Sequence, residues 1–151
     1  MIRPIGGPQE IEFCARTMQA SEPWLTLGRG YESGVSMLGD GTRERYVAVA
    51  GTEIAGFVVL VTCGALVGYL QAICVAAQFR GRGIGRALMD FSESTVLRRH
   101  ANLFLMVSDF NLPAQAFYRR LGYQTVGVLT DYIVAGRNEI LMRKTRGPLR
   151  G

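Results

Sequence analysis

The sequence predicts a single α/β domain in which helices and strands alternate along the chain. Its 151 residues are the length of one domain, which we expect to span the whole of residues 1–151. Apolar spacing gives the order helices, strands, helix, strand, helix and two final strands. A loop rich in glycine and arginine, residues 78–86, separates the central apolar strands from an amphipathic helix. Such a strand–loop–helix unit is typical of ligand-binding α/β domains.

The first fifty residues predict two helices and a strand. Residues 8–19 begin at a proline, which suits the first turn of a helix, and carry apolar residues at helical spacing. A second helix is expected to begin near Pro23 and to continue through residue 38, despite its glycines. After a turn at residues 39–41, residues 45–50 have the composition of a strand.

Residues 54–77 contain no charged residue, and length alone would allow a membrane span. Glycines, the polar Gln71 and many β-branched residues instead favour two buried strands. Residues 51–53 predict a hairpin into the first of these strands, Ile54–Val61. A turn at residues 63–65 then leads into the second, Leu66–Ala76, so no membrane segment is expected.

The second half alternates helices and strands. Apolar residues from Ile84 to Thr95 predict a helix, and residues 103–107 predict a short strand. Asn111 and Pro113 open a further helix that we expect to end at Gly122 in a left-handed cap. Two strands, residues 123–129 and 139–144, complete the sheet, and residues 146–151 are expected to be a flexible tail.

Composition narrows the classes of function. Lysine and arginine number 17 against 12 acidic residues, a net charge of +5 that suits anionic small molecules or weak attraction to nucleic acid or membranes. The three cysteines are far apart and there is one histidine, so we expect neither a metal site nor a disulfide framework. Together with an N-terminus that lacks an apolar signal segment, this predicts a cytoplasmic protein.

The loop of residues 78–86 has the chemistry of a phosphate site. Glycines allow a ligand to approach the backbone, and the N–H groups at the start of a helix lack partners and favour an anion. Arg80, Arg82 and Arg86 add charge and forked donors. The glycine spacing is neither that of a nucleotide P-loop nor that of the dinucleotide fingerprint. A plain turn with solvated arginines, or an RNA contact, would be the alternatives.

Two motifs resemble those of the GNAT family of N-acetyltransferases. Arg80, Gly83 and Gly85 match the family's acetyl-CoA signature, and they follow a predicted strand. The family's second signature is matched, in order, by Asn111, Ala114, Phe117–Tyr118 and Gly122–Tyr123. The resemblance is strongest between residues 45 and 144 and weaker over the first 40 residues, where this family varies with its substrate.

The resemblance implies a fold, an activity and a set of ligand contacts. The fold is a mixed, mostly antiparallel sheet of about six or seven strands, splayed between the fourth and fifth strands and flanked by about four helices. The activity is direct transfer of an acetyl group from acetyl-CoA to a primary amine of a small molecule, peptide or protein. The alternative is a non-catalytic, regulatory module that binds CoA, and the chain would be a monomer or a homodimer. The implied cofactor-binding residues are Ile73, Cys74, Val75, Arg80, Gly81, Arg82, Gly83, Ile84, Gly85, Arg86, Asn111, Phe117 and Tyr118.

The resemblance also assigns catalytic roles. Tyr118 matches the tyrosine that protonates the departing thiolate, and a phenol is a suitable acid for a thiolate. Asn111 would bind the pantetheine arm or cap its helix. Where one branch of the family carries a glutamate base on the fifth strand, this chain has Met106, which we expect in the core.

The sequence leaves more than one candidate for the general base, and it does not identify the acceptor. Glu22, Asp109 and Asp131 are candidate bases, unless the amine binds already neutral. The acceptor pocket is expected between the first two helices and the link that joins the last two strands. Its predicted residues are Trp24, Tyr31, Asp131 and Tyr132. The side chain of Cys74 is expected in the core rather than as a nucleophile.

Overall fold

The computed structural model describes residues 1–150, which form a seven-stranded sheet, five α-helices and a short 3-10 turn at Ala77–Phe79. The strands are β1 (Ile2–Pro4), β2 (Glu44–Ala50), β3 (Glu53–Val61), β4 (Tyr69–Val75), β5 (Asn102–Ser108), β6 (Gln124–Leu129) and β7 (Glu139–Thr145). The helices are α1 (Pro8–Gln19), α2 (Trp24–Leu27), α3 (Tyr31–Gly39), α4 (Ile84–Leu97) and α5 (Leu112–Arg120).

The sheet has the strand order β1-β2-β3-β4-β5-β7-β6 and is antiparallel except between β4 and β5. These two parallel strands pair only at Tyr69↔Phe104 and Leu70↔Leu105. Beyond Leu70, β4 has no partner on its β5 side, so the sheet divides into two parts. The predicted mixed sheet, splayed between its fourth and fifth strands, is therefore confirmed. The numbering of these two strands includes β1, the short strand at the edge of the sheet.

Both faces of the central strands are covered. Val58 and Leu60 on β3 pack in the cluster that contains Leu88 of α4, while the alternate residues Phe57 and Val59 pack in the cluster of α1 and α3. A strand buried on both faces has no position for a charge, which explains the uncharged run at residues 54–77. That run forms β3 and β4, and within residues 1–150 no helix is long and apolar enough to cross a membrane.

The N-terminal third differs from the sequence prediction in two ways. The strand β1 was not predicted, because its three residues are too few to show an alternating pattern; it pairs with β2 at the sheet edge. The expected single second helix is wrong, since it forms two helices, α2 and α3. Gly28 ends α2 in a left-handed conformation with φ +67°, which stops the helix where apolar spacing continues. This raises the helix number to five.

The connection between β3 and β4 is longer than the predicted tight turn. It occupies residues 62–68, and β4 begins at Tyr69 instead of Leu66. Gly64 and Gly68 both have positive φ, so the chain changes direction twice before it enters the sheet. At the other end of the chain, the tail begins attached to the sheet, because the Arg146 N–H donates to the carbonyl of Ala101 at 3.0 Å.

Candidate active site

Two cavities lie along the split between β4 and β5. The first, here called the central cavity, has a volume of about 390 Å³ and includes Trp24, Leu27, Tyr69, Tyr118, Tyr132 and Glu139 in its lining. The second, the loop cavity, has a volume of about 270 Å³ and includes Val75, Phe79, Gly81, Gly83, Gly85 and Phe117. Residues of β4 and of α5 line both cavities, so the two cavities follow one another along these elements; together they are here called the cleft.

The edge of β4 forms one wall of the cleft. Past Leu70 its residues pair only with β3, as Ile73↔Val58, Cys74↔Phe57 and Val75↔Gly56. Backbone groups of an extended strand alternate between its two sides, so part of this edge presents N–H and C=O groups to the split. An extended ligand with amide groups could pair there as an added strand.

The glycine-rich loop presents a row of free N–H groups. Gly81 and Gly83 adopt positive φ angles of +74° and +81°, and Gly83 is the N-cap of α4. Within residues 1–150, no backbone N–H from residue 81 to residue 86 donates a hydrogen bond; the first to do so is that of Ala87, to the carbonyl of Gly83 at 3.0 Å. Consecutive free N–H groups at a helix N-terminus are a binding site for a phosphate-like anion.

The three arginines of the loop are held by neighbouring groups. Arg80 donates through Nε to the carbonyl of Val75 and through Nη2 to Ser21 Oγ, each at 3.1 Å. The guanidinium of Arg82 lies 5.5 Å from the ring centre of Phe79. Arg86 pairs with Asp90 one turn along α4, at 3.0 Å and well exposed.

Arg80 thus has a contact that the sequence did not suggest. Its bond to Ser21 joins the loop to the segment between α1 and α2, which lies far from it in the chain. The backbone N–H groups of residues 81–86 thus remain without a partner within the described residues, while Arg80 and Arg86 are each bonded to a neighbouring group.

Tyr118 extends from α5 into the central cavity, although only 7% of it is exposed. Its ring packs edge-on against Tyr123, with 6.0 Å between centroids, and against Phe117 at 5.4 Å. Burial raises the pKa of the Tyr118 phenol well above its ordinary value, because the phenolate would lose its hydration. The hydroxyl therefore remains protonated at neutral pH and has a proton to donate.

Asn111 lies where α5 begins. Its Oδ1 accepts a hydrogen bond from the N–H of Ala114 at 3.3 Å, so the side chain caps the helix. The residue also lines the central cavity, so a ligand contact by the same side chain is compatible with its capping role.

Of the residues predicted for an acceptor pocket, Trp24 and Tyr132 line the central cavity, whereas Tyr31 and Asp131 do not. Tyr31 begins α3 and packs among the residues that join α3 to α1. The guanidinium of Arg16 on α1 lies 5.1 Å from its ring centre. The seven-residue spacing from Trp24 suggested one shared helix face, but the break at Gly28 gives the two aromatic residues different surroundings.

Asp131 has a local role in the link between β6 and β7. It is exposed and has φ +52°, a left-handed conformation that aspartate tolerates better than most residues. Its Oδ1 accepts from the N–H of Gly136 at 2.7 Å, and its own N–H donates to Asn138 Oδ1 at 3.2 Å. These bonds close the turn of the link.

The other two predicted bases differ in position. Glu22 lines the central cavity from its exposed rim and accepts a hydrogen bond from Thr26 at 2.8 Å. Asp109 lies outside the lining, where its Oδ2 accepts from the N–H of Asn138 at 3.0 Å. Met106 also lines the cavity and is partly exposed to it, so its predicted place in the core is wrong.

Glu139 is the lining residue that sequence reasoning missed. It begins β7, where it lies opposite Ser108 of β5 and Leu129 of β6, and it is 5% exposed. Within the described residues its Oε2 is buried without a hydrogen-bond partner. The signal in the sequence is a carboxylate directly before an apolar strand segment, a pattern that by itself indicates only the start of a strand.

The environment of Glu139 changes its acidity. Burial raises the pKa of its carboxyl above the ordinary value, and the carboxylate of Asp109 contributes in the same direction. The hydroxyl of Ser108 and the charge of Arg29 act in the opposite direction but do not reverse the shift.

Cys74 contributes its backbone to the cleft wall, while its side chain is buried in the cluster of α1 and α3. Burial raises the pKa of its thiol, although Ser21 and Arg80 act to lower it. A thiol held neutral in this way is a poor nucleophile.

Comparisons with known proteins agree with this architecture. A family model described as "Acetyltransferase (GNAT) family" matches residues 10–123. An N-alpha-acetyltransferase of Sulfurisphaera tokodaii is 34% identical over 77 residues, which cover 50% of this chain and 46% of the relative. A mycothiol acetyltransferase of Corynebacterium jeikeium is 33% identical over 75 residues, covering 49% of this chain and 21% of the relative.

Among solved structures, an aminoglycoside 6'-N-acetyltransferase complexed with coenzyme A superimposes with a TM-score of 0.78 at 19% identity, covering 98% of each chain. The overall fold is thus shared with this structure. The chain belongs to the acetyltransferase (GNAT) family. It spans less than half the length of the two curated relatives described above.

Proposed function

We propose that this protein is an N-acetyltransferase that uses acetyl-CoA to acetylate a primary amine. The observation that carries the proposal is the order of three features along β4. Free N–H groups at residues 81–86 lead to the unpaired edge of β4, and that edge leads to Tyr118 in the central cavity. Membership of the acetyltransferase (GNAT) family supports the same activity.

The cleft offers one site for each part of acetyl-CoA. The N–H groups from Gly81 to Arg86 would hold the pyrophosphate, because they form an anion site at the start of α4. The backbone of Ile73, Cys74 and Val75 would hold the amide groups of the pantetheine arm. The carbonyl of Val75 accepts a bond from Arg80 Nε and has a second lone pair that the arm could use.

The residues of the central cavity would carry out the transfer. A backbone N–H of the β4 edge can polarise the thioester carbonyl, as donors aimed at a developing oxyanion do. Tyr118 would donate its proton to the sulfur as the C–S bond breaks, and burial holds that proton in place until then. Asn111 and Phe117 would border the arm near the thioester.

The acceptor would enter beside Trp24 and Tyr132. Both aromatic residues line the cavity, although they are far apart in the chain: Trp24 lies on α2 and Tyr132 in the β6–β7 link. The named relatives act on amines of different kinds, one an N-alpha-acetyltransferase and one an aminoglycoside 6'-N-acetyltransferase. The proposal covers small-molecule and peptide amines.

Calorimetric titration of acetyl-CoA tests the donor site, with ATP and desulfo-CoA as comparison ligands. We expect micromolar binding of acetyl-CoA and of desulfo-CoA and much weaker binding of ATP, since ATP lacks the pantetheine arm. Thiol release is then followed with a panel of phenethylamine, n-hexylamine and a hexapeptide with a free N-terminal alanine. Binding without amine-dependent thiol release would indicate the CoA-binding module instead, and no binding would overturn the proposal.

A further inference from the structure

We propose that Glu139 is the catalytic residue that binds the ammonium group of the acceptor and removes its proton. The inference deepens the proposed function and rests on it. It also specifies the acceptor as an amine that arrives charged, with a carbon body placed between aromatic side chains. The observation behind it is a buried carboxylate in the wall of the central cavity, whose Oε2 has no hydrogen-bond partner within residues 1–150.

The position of Glu139 is set by three strands. Its backbone pairs with Ser108 on one side and with Leu129 on the other, so β7 holds the residue rigidly at the open end of the split. The cavity lining includes both Glu139 and Tyr118. A proton acceptor and a proton donor therefore share one cavity, as acyl transfer from a thiol to an amine requires.

The carboxylate lacks the partners that a structural role would give it. Glu139 is 5% exposed, and its Oε2 has no hydrogen-bond partner within residues 1–150. A buried carboxylate without a partner lowers stability, and native proteins satisfy nearly all such groups. By contrast, both oxygens of the Glu10 carboxylate accept hydrogen bonds from Arg3. Glu139 is thus left available for a ligand with N–H donors.

The charges around Glu139 favour a cation at this place. The titratable and charged groups of the surrounding elements are Glu22, Arg29, Tyr69, Asp109, Tyr118 and Tyr132. Burial is the main cause that raises the pKa of Tyr69 to about 12, and Glu139 adds to it, so this phenol is neutral at physiological pH. Arg29 is the only cation of the set, and it opposes the carboxylates of Glu22 and Asp109 as well as that of Glu139.

The shifted acidity suits a base. A carboxyl whose pKa is raised by burial holds a proton more strongly than an ordinary glutamate does. It can therefore accept a proton from an ammonium group whose own pKa falls in the cavity. Trp24, Tyr69 and Tyr132 line the same cavity, and aromatic rings can attract a cation and contact its carbon body.

The proton balance is complete with these residues. One proton passes from the ammonium to Glu139, and the neutral nitrogen forms a bond with the thioester carbonyl carbon as the C–S bond breaks. The second proton leaves the nitrogen and reaches the thiolate through the hydroxyl of Tyr118. Glu139 then releases its proton to solvent, so the net products are the acetamide, CoA with a free thiol and one proton.

The test compares wild type with Glu139→Gln, using the amine of the three-member panel that gives the fastest thiol release. We expect kcat at pH 7 to fall by about 100-fold or more, the scale of a lost general base. In the plot of kcat/KM against pH, the fall of activity on the acidic side should disappear, while the Kd for acetyl-CoA stays the same. Glu53→Gln is the matched control, because Glu53 also begins a strand but is exposed.

Two failures are distinguishable. A wild type that binds acetyl-CoA yet releases no thiol with any amine overturns the proposed function and this inference together. This inference alone is overturned if the wild type is active and the kcat of Glu139→Gln lies within about threefold of the wild-type kcat, with the same acidic limb in the pH profile of kcat/KM.

A measurement on the unmodified protein covers the case in which Glu139→Gln does not fold. The carboxyl carbon of Glu139 is followed by NMR from pH 4 to pH 9 and assigned by comparison with Glu139→Asp. We expect it to titrate above the ordinary glutamate range and to shift when n-hexylamine is added to the CoA complex. Titration in the ordinary range with no response to the amine contradicts the inference.

Discussion

Gly68 lies against the carbonyl of Asn102 so closely that a Cβ atom on it would be 2.1 Å from that oxygen. The two residues meet where β4 and β5 begin their short parallel pairing, and the carbonyl of Gly68 accepts from the N–H of Phe104 at 2.7 Å. This contact marks the closed end of the split. Past it, the strands separate and the cleft opens.

We expect Gly68→Ala to destabilise the fold strongly. A side chain would meet the Asn102 carbonyl, and the φ of +83° costs a non-glycine residue roughly 1–2 kcal/mol by itself. Gly64→Ala is the matched control, since Gly64 lies in the same connection with φ +97° and open space around it. Urea midpoints of the two variants separate the clash from the backbone cost. Equal losses would mean that the closed end of the split relaxes freely.

Tyr118→Phe should lower kcat by about 100-fold or more, because it removes a proton used mainly as the thiolate leaves. The Kd for acetyl-CoA and the melting temperature should change little, since the hydroxyl makes no hydrogen bond within residues 1–150. Tyr123→Phe is the control, as Tyr123 packs against the same ring and its buried hydroxyl also lacks a partner. Unchanged turnover in Tyr118→Phe would exclude this tyrosine from the chemistry.

Gly83→Glu should abolish binding of acetyl-CoA, because a carboxylate would stand among the N–H groups proposed to hold the pyrophosphate. Gly83→Ala has the same positive φ without the charge, and a Cβ at this position meets nothing within 4 Å. Calorimetry should therefore show weakened but measurable binding for Gly83→Ala and none for Gly83→Glu. Micromolar affinity in Gly83→Glu would show that the phosphates bind elsewhere.

The pairing of Glu10 with Arg3 predicts a pH-dependent stability. The Glu10 carboxylate accepts two hydrogen bonds from the Arg3 guanidinium and one from the Gly6 N–H. The bond from Arg3 is the main cause that lowers the pKa of Glu10 below its ordinary value of 4.5. The stabilisation is therefore complete above that value and is lost as the pH falls through the lowered pKa.

Glu10→Gln should accordingly melt at a lower temperature than wild type at pH 7, and the difference should shrink as the pH falls from about 5 to about 3. Differential scanning calorimetry at three pH values measures this. Glu12→Gln is the comparison, because Glu12 lies on the same helix in an exposed pair with Arg16. A difference that is constant across this range would contradict the assignment.

The regular elements with strong local patterns could be predicted from the sequence. The helix Pro8–Gln19 was predicted at its observed bounds, because a proline start and a periodic apolar face are local signals. The elements that were not predicted have weak local signals. The strand β1 is three residues long, and the break between α2 and α3 depends on the backbone of Gly28. In such short segments, contacts with the rest of the fold determine the conformation.

The glycine-rich loop, the uncharged strands and the tyrosine of the second motif were properties of the sequence alone, because each depends on residues that are neighbours in the chain. Only the tertiary structure decided which distant side chains share the cavity. It brings Trp24, Tyr132 and Glu139 together, and it leaves Tyr31 and Asp131 outside. The physical reason is that a cavity is formed by strands and loops distant in sequence, and a single changed turn alters which residues face it.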